Sequence, residues 1–260
     1  GSGKSNFAEQ LAMLLNVRHS WKIGLFSPEH YPMSILFLRL AKLYTGKSFF
    51  RRKDGADRMS QAELNDAKDY LGKNWFFVRP KDENFSLQNI LDCAKVLVLR
   101  HGIRLFIIDP WNTIHHDLQG RSEVAYLEWA LNYINDFKQK YDVHVFIIAH
   151  PTKMKKDDAG QYMVPTLYDI AGAAHWFNKT DNGMVVHRDY ERDEVQVHVQ
   201  KIKYEHLGHV GFSVFKWNPV NSRYYAKGTD PFDMKYSEGY NDIGANGKAV
   251  HYIDFTEPAT

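Results

Sequence analysis

The chain opens on Gly1-Ser2-Gly3-Lys4-Ser5. In the phosphate-loop pattern G-x-x-x-x-G-K-[ST], Gly3, Lys4 and Ser5 fill the last three places. Such a loop works because backbone N–H groups at a helix N-terminus point at an anion and the lysine adds a movable positive charge. Gly1, Ser2 and Gly3 would supply backbone, Lys4 would reach the β and γ phosphates, and the Ser5 hydroxyl would coordinate magnesium. The same five residues also suit a flexible glycine-rich start. The opening glycine of the pattern, and the strand that feeds it, would lie before residue 1, so the expectation is that the chain is a piece of a longer one.

Three further residues stand where such a ligand needs partners. Ligands of open parallel sheets sit at the carboxyl ends of the strands, and Glu29, Asp109 and His150 each lie at or just past the end of an apolar run. Asp109 follows Leu105-Phe106-Ile107-Ile108 and has the form of the second nucleotide motif, whose carboxylate holds magnesium, often through water; otherwise it caps the Pro110 turn. Glu29 suits a general base that polarises an attacking water, or is a solvated surface glutamate. His150 could donate to a γ phosphate and sense its loss; otherwise it is a loop histidine before proline. His115-His116 and His206-x-x-His209 lack a Cys pair or an H-E-x-x-H pattern, so zinc is not expected.

The elements that must position these groups follow from apolar spacing. Helical spacing covers Asn6 to Leu15, Met33 to Tyr44, Gln61 to Leu71, Leu87 to Leu99 and Glu123 to Lys138. Short apolar runs at Trp21 to Ser27, Trp75 to Val78, Leu105 to Ile108 and Val143 to Ala149 read as strands. Continuous apolar strands alternating with amphipathic helices predict an α/β doubly wound, mostly parallel sheet covered on both faces. After residue 150 the pattern changes. Pro151 to Pro165 reads as a polar loop and Thr166 to Phe177 as a short helix. Met184 to Tyr190, Val195 to Ile202 and Val210 to Trp217 then follow as strands of an antiparallel end of that sheet. Residues 1–227 would form the domain and 228–260, rich in Gly, Asp and Tyr, an extension or partner-binding tail.

Composition sets outer limits. With 33 Lys plus Arg against 31 Asp plus Glu, the formal net charge of the 260 residues is +2. That is far from the basic balance of a protein coating nucleic acid non-specifically, so any such contact must be a local patch. One cysteine, Cys93, excludes an intramolecular disulfide framework and multi-cysteine zinc ribbons. No apolar run approaches the ~20 residues a bilayer span needs, and the expected location is cytosolic.

The order of Ser27-Pro28-Glu29, F-I-I-D-P-W-N at Phe106 to Asn112, I-I-A-H-P-T-K at Ile147 to Lys153, P-T-L-Y-D-I-A-G-A-A-H-W-F at Pro165 to Phe177 and Q-K-I-K-Y-E-H-L-G-H-V-G at Gln200 to Gly211 resembles the helicase domain of primase-helicases related to Twinkle and to DnaB-type replicative helicases. The resemblance runs from residue 1 to about residue 226. It implies a RecA-like fold, a homo-oligomer as a ring of six, and ATP- or dTTP-driven 5′ to 3′ movement along encircled single-stranded DNA, with Mg2+ as cofactor. It also implies a bacterial or phage-infected cytoplasm, nucleoid association during replication, and room for a primase domain upstream. By motif match Lys4 and Ser5 hold phosphate and magnesium, Glu29 is the catalytic base, Asp109 the magnesium-side carboxylate and His150 the phosphate sensor. Lys201 and Lys203 take the places of a pair that acts on a neighbouring subunit's nucleotide. Lys203 stands where the family usually has Arg, so charge survives without the bidentate fork. Lys153, Lys155 and Lys156 would grip the DNA backbone, and Arg39 and Tyr224 would pack against the nucleotide base. Rival readings are a RecA- or KaiC-like DNA-dependent ATPase that does not unwind, and a nucleotide-binding DNA clamp or loader with little hydrolysis.

Overall fold

A computed structural model describes residues 2–30, 32–51, 53, 55–80, 84–152, 156, 158, 160, 162–233, 241–243 and 249–251. Side-chain alternation in two strands sets its layers. In β3 (Ile103–Ile108), Phe106 and Ile108 face one apolar cluster while Leu105 and Ile107 face another. β1 (Lys22–Phe26) divides likewise, with Phe26 on the first side and Ile23 and Leu25 on the second. Runs apolar at every position are therefore buried on both faces, as a parallel sheet requires. The first cluster is closed by α4 (Leu87–His101) and α5 (Glu123–Tyr141), through Ile90, Leu91, Ala130 and Ile134 among others. The second is closed by α1 (Lys4–His19), α2 (Met33–Thr45) and α3 (Gln61–Asn74), through Met13, Leu40 and Leu71. The strands are parallel in the order β2 (Trp75–Val78), β1, β3, β4 (His144–Ile147), with Leu25 paired to Phe77 and Ile107, and Ile107 to Phe146.

Helix boundaries have local causes. Ser60 and Glu63 form a reciprocal capping box at the start of α3, and Ser86 and Ser122 accept backbone N–H groups at the starts of α4 and α5. Gly46 and Gly102 end α2 and α4 at φ 75° and 68°, where glycine has no Cβ penalty.

α1 runs beyond the Asn6 to Leu15 span that apolar spacing suggests. Its departures from period are buried polar residues that serve as ties. The Gln10 amide donates to the Tyr224 carbonyl (3.1 Å) and accepts from the Tyr224 N–H (2.6 Å). Asn16 donates to the Trp21 carbonyl (2.7 Å) and accepts from the Trp75 indole (3.1 Å).

The antiparallel strands β5 (Asn182–Asp189), β6 (Glu194–Ile202), β7 (Gly211–Asn218) and β8 (Arg223–Ala226) form a second four-stranded sheet in that order, separate from the first. The antiparallel pairing is as expected; the division into two sheets is not. Among the described residues β4 pairs only with β3 and β5 only with β6. α1 links the two layers. Phe7 packs with Val186, Val195, Val197 and Tyr224 of the second sheet, while Ala12 and Met13 face the first. The Thr166 to Phe177 segment is a 3-10 turn at Leu167–Asp169 followed by α6 (Ala173–Lys179). Early in the tail, Asp230 accepts from Arg223 (2.8 Å) and Phe232 lies under that guanidinium at 3.9 Å. β9 (Asn241–Ile243) and β10 (Ala249–His251) pair antiparallel, and the other residues from 234 onward lie outside the described set.

Candidate functional site

The start of α1 and the ends of β1, β3 and β4 converge on one rim of the parallel sheet. Gly3 precedes α1 at φ 90°, and a Cβ there would stand 2.3 Å from the Tyr224 hydroxyl oxygen. Both the backbone conformation and the space demand glycine. The Tyr224 hydroxyl donates to the Gly3 carbonyl (3.1 Å). Two residues on, the Ser5 hydroxyl donates to Asp109 Oδ1 at 3.0 Å. Asp109 is the first residue after β3, only 3% exposed, and its N–H donates to the Phe26 carbonyl (2.9 Å), which locks the ends of β1 and β3 together.

The electrostatics of Asp109 name the residues around it. Burial pushes its carboxyl above the ordinary value, and the nearby Glu29 charge adds to that. The Ser5 hydrogen bond and the charges of Arg39 and His150 act the other way. Lys4 is half-buried; burial pulls its amine down while the Asp109 charge pushes it up. Lys4, Ser5, Glu29, Asp109 and His150 are thus brought together. Glu29 is exposed and makes no hydrogen bond or ion pair among the described residues. His150 is exposed too; its N–H donates to the Asn112 side chain (3.4 Å), while Trp111 N–H to the Ile148 carbonyl (2.8 Å) ties the β3 and β4 ends.

Arg39 and Tyr224 sit at the same end, but each is engaged. The Arg39 fork holds both oxygens of Glu9, with Nε to Oε2 at 2.9 Å, and its Nη1 lies 2.8 Å from His30 Nε2. Tyr224 is 2% exposed with its ring against Phe7, and burial pushes its phenol up to about 12. In this arrangement Tyr224 supports the glycine of the loop.

Lys201 and Lys203 are placed elsewhere. Lys201 donates to the carbonyls of Phe177 and Asn178 in the last turn of α6. Lys203 donates to Asp181 Oδ1 (2.8 Å), whose other oxygen takes Lys138. Lys156 bridges to Tyr162 with its amine 4.9 Å from the ring centre. Gly1, Lys153 and Lys155 lie outside the described residues.

A hydroxyl and a carboxylate beside a phosphate-loop lysine fit magnesium, which takes one or two protein oxygens and completes its shell with phosphate and water. No group of three or more His, Cys, Asp or Glu that could hold a metal occurs among the described residues. Sequence reasoning missed Glu9, Ser27 and His30 as a connected set. The available signal was a glutamate on the side of α1 that also carries Ala12 and Met13.

The sheet order, the loop at the head of α1 and the carboxylate ending the neighbouring strand define a RecA-like fold. Solved structures agree: an ATPase domain (TM-score 0.70, 16% identity, 87% of this chain and 81% of that one) and a DnaB-like replicative helicase described with its interactions with primase (0.68, 15%, 86% and 56%). The RadB recombinase is more distant (0.53, 12%, 85% and 84%). In sequence the chain is related to the chloroplastic/mitochondrial Twinkle homolog protein of Arabidopsis thaliana, 34% identical over 234 residues, 86% of this chain. That agrees with the family resemblance carried by the motifs. The chain spans about a third (32%) of the length of that curated relative. No protein-family model matches the chain. The relative is described as organellar, not bacterial or phage, and no helix among the described residues is long and apolar enough to cross a membrane.

Proposed function

We propose that the chain is the motor domain of a Twinkle- or DnaB-type replicative helicase, an NTPase that hydrolyses ATP or dTTP to move on single-stranded DNA and open duplex. The observation that carries the reading is the 3.0 Å Ser5–Asp109 hydrogen bond at the head of α1, with Lys4, Glu29 and His150 around it. Bound magnesium, which Ser5 and Asp109 would hold, would supply charge neutralisation. Lys4 and the loop backbone bind the phosphates, and Glu29, exposed and without a partner among the described residues, orients a water and takes its proton. His150, on the adjoining strand end, meets the γ phosphate and passes its loss to the segment after residue 150. Lys153, Lys155 and Lys156 of that segment are the proposed DNA contacts.

Lys201 and Lys203 act in this scheme on a neighbour's nucleotide across a heterologous ring contact, six subunits to a ring, with 5′ to 3′ polarity. The domain spans residues 1–227, with 228–260 as an extension, and a primase domain in the same polypeptide would precede it. The 2.8 Å Lys203–Asp181 pair favours a second reading, a nucleotide-binding clamp with little hydrolysis.

The test uses the full-length protein: NTP hydrolysis with and without single-stranded DNA, then unwinding of a forked duplex. DNA stimulation with unwinding is expected. Stimulation without unwinding would support a RecA- or KaiC-like filament ATPase, and neither would support the clamp.

A further inference from the structure

Glu29 has no hydrogen-bond or ion-pair partner among the described residues, yet the turn that carries it is held from both sides. Ser27, two residues before it, is buried and bonded to His30, just after it, with Ser27 Oγ 2.6 Å from His30 Nδ1. The Ser27 carbonyl also accepts the His30 N–H (3.3 Å). The other ring nitrogen, Nε2, lies 2.8 Å from Arg39 Nη1, and the rest of the Arg39 fork grips Glu9, 4% exposed on α1. An arginine can only donate. His30 Nε2 must therefore accept, its proton is fixed on Nδ1, and Nδ1–H donates to Ser27 Oγ. Burial and the Arg39 charge hold the imidazole down to about 4, so the neutral ring needed for this pattern persists at neutral pH.

Resting on the reading of Glu29 as the base, we propose that His30 is a positioning residue: the chain Glu9–Arg39–His30–Ser27 couples α1, whose first turn carries Lys4 and Ser5, to the turn that presents Glu29. Every link is directional. Glu9 fixes the plane of the Arg39 fork, the fork selects the His30 tautomer, and the tautomer orients Ser27. A displacement of α1 on filling of its phosphate loop is thereby delivered to Ser27 and His30, on either side of Glu29. A general base misplaced by about 1 Å costs on the order of 100-fold in rate, so a short rigid linkage at this point suffices to control turnover.

Two substitutions cut the chain at different links. His30→Gln keeps an acceptor toward Arg39 but loses the bond to Ser27; His30→Asn keeps a donor toward Ser27 but loses Arg39. In the full-length protein with single-stranded DNA, each is expected to lower kcat by about 10- to 100-fold while the Kd for a non-hydrolysable nucleotide stays within about twofold. The deciding measurement is a double-mutant cycle with Glu29→Gln in single-turnover hydrolysis. If His30 acts through Glu29, His30→Gln lowers the rate no more than about twofold once Glu29 is replaced. An undiminished drop in the Glu29→Gln background, or wild-type kcat in both His30 variants, overturns the positioning role. Full hydrolysis by Glu29→Gln alone is a different result: it removes the assignment of the base, and the positioning role with it.

Discussion

Two aspartates at opposite parts of the molecule show how differently one side chain can be used. Asp109 is 3% exposed, receives one hydroxyl hydrogen bond from Ser5, and burial leaves its carboxyl above the ordinary value. Asp181 is also drawn upward by burial, but Lys138 and Lys203 both donate to it and bring it below the ordinary value. Asp181 has its counter-charge within the chain and acts as a brace between the end of α5 and the end of β6. Asp109 is set where protein cations only partly offset burial, which suits a carboxylate that works with an added divalent ion. The same contrast separates the lysines. Lys4 lies at the rim with Ser5 and Asp109, whereas Lys201 and Lys203 are held by α6 and Asp181, and in the proposed scheme they would act on a neighbouring subunit.

The largest expected effect breaks that comparison at its strong side. Asp109→Asn in the full-length protein should lower kcat about 100- to 1,000-fold, the scale of losing one preorganised charge at a reacting centre, with the fold retained. Asp181→Asn should leave kcat within about threefold, because an ion pair that is half in solvent contributes little. Steady-state hydrolysis by both variants checks the pair; equal losses would erase the distinction.

The lysines sharpen it next. Lys203→Ala should cost about tenfold in kcat and Lys4→Ala about 100-fold. Mixed one to one, the two impaired proteins should reach about a quarter of wild-type turnover, since random heterologous contacts set an intact Lys4 against an intact Lys203 in that share of interfaces. A mixture no faster than its components would confine Lys203 to its brace with Asp181.

Much of this was legible beforehand, for physical reasons particular to each element. β1 and β3 are buried on both faces, so Trp21 to Ser27 and Leu105 to Ile108 announce themselves by composition alone, and the residue that ends such a strand has few places to be. That is why Glu29, Asp109 and His150 could be placed at one rim from spacing. α1 was harder. Glu9, Gln10 and Asn16 interrupt its apolar period, yet each is buried with partners far along the chain, such as Trp75 and Tyr224. The relay through Arg39 and His30 was hidden for the same reason: a bond between α1, α2 and the β1 turn has no signature at any fixed sequence spacing. Tyr224 shows the converse. Its assignment to a nucleotide base came from resemblance, and here its hydroxyl is spent on Gly3.

That tyrosine yields a smaller test on the nucleotide side. Tyr224→Phe keeps the ring against Phe7 and removes the hydrogen bond to the Gly3 carbonyl, so stability should fall by about 1 kcal/mol in chemical denaturation. Nucleotide Kd should weaken by no more than the same free energy. A loss of binding far beyond that would show that Tyr224 meets the nucleotide itself.

The finest discrimination between the two aspartates is the sign of their pH dependence. The Asp109 carboxyl is raised on folding, so its contribution to stability is full below the ordinary aspartate value of 3.8 and is lost as pH rises through the raised value. The Asp181 carboxyl is lowered, so its contribution is present above that ordinary value and is lost as pH falls through the lowered one. On acidification from neutrality Asp109 therefore relieves the fold first, and Asp181 withdraws its support only at the acid end. Denaturation midpoints measured from pH 7 downward should show Asp109→Asn without the early gain and Asp181→Asn with a shallower late loss. Saturating magnesium and a non-hydrolysable nucleotide should remove the early gain from the wild type, because cation binding keeps Asp109 ionised, and leave the late loss as it was. An effect of the bound cation on the Asp181 limb instead would mean that the two carboxylates share one charge network, and the contrast between a braced residue and a ligand would have to be abandoned.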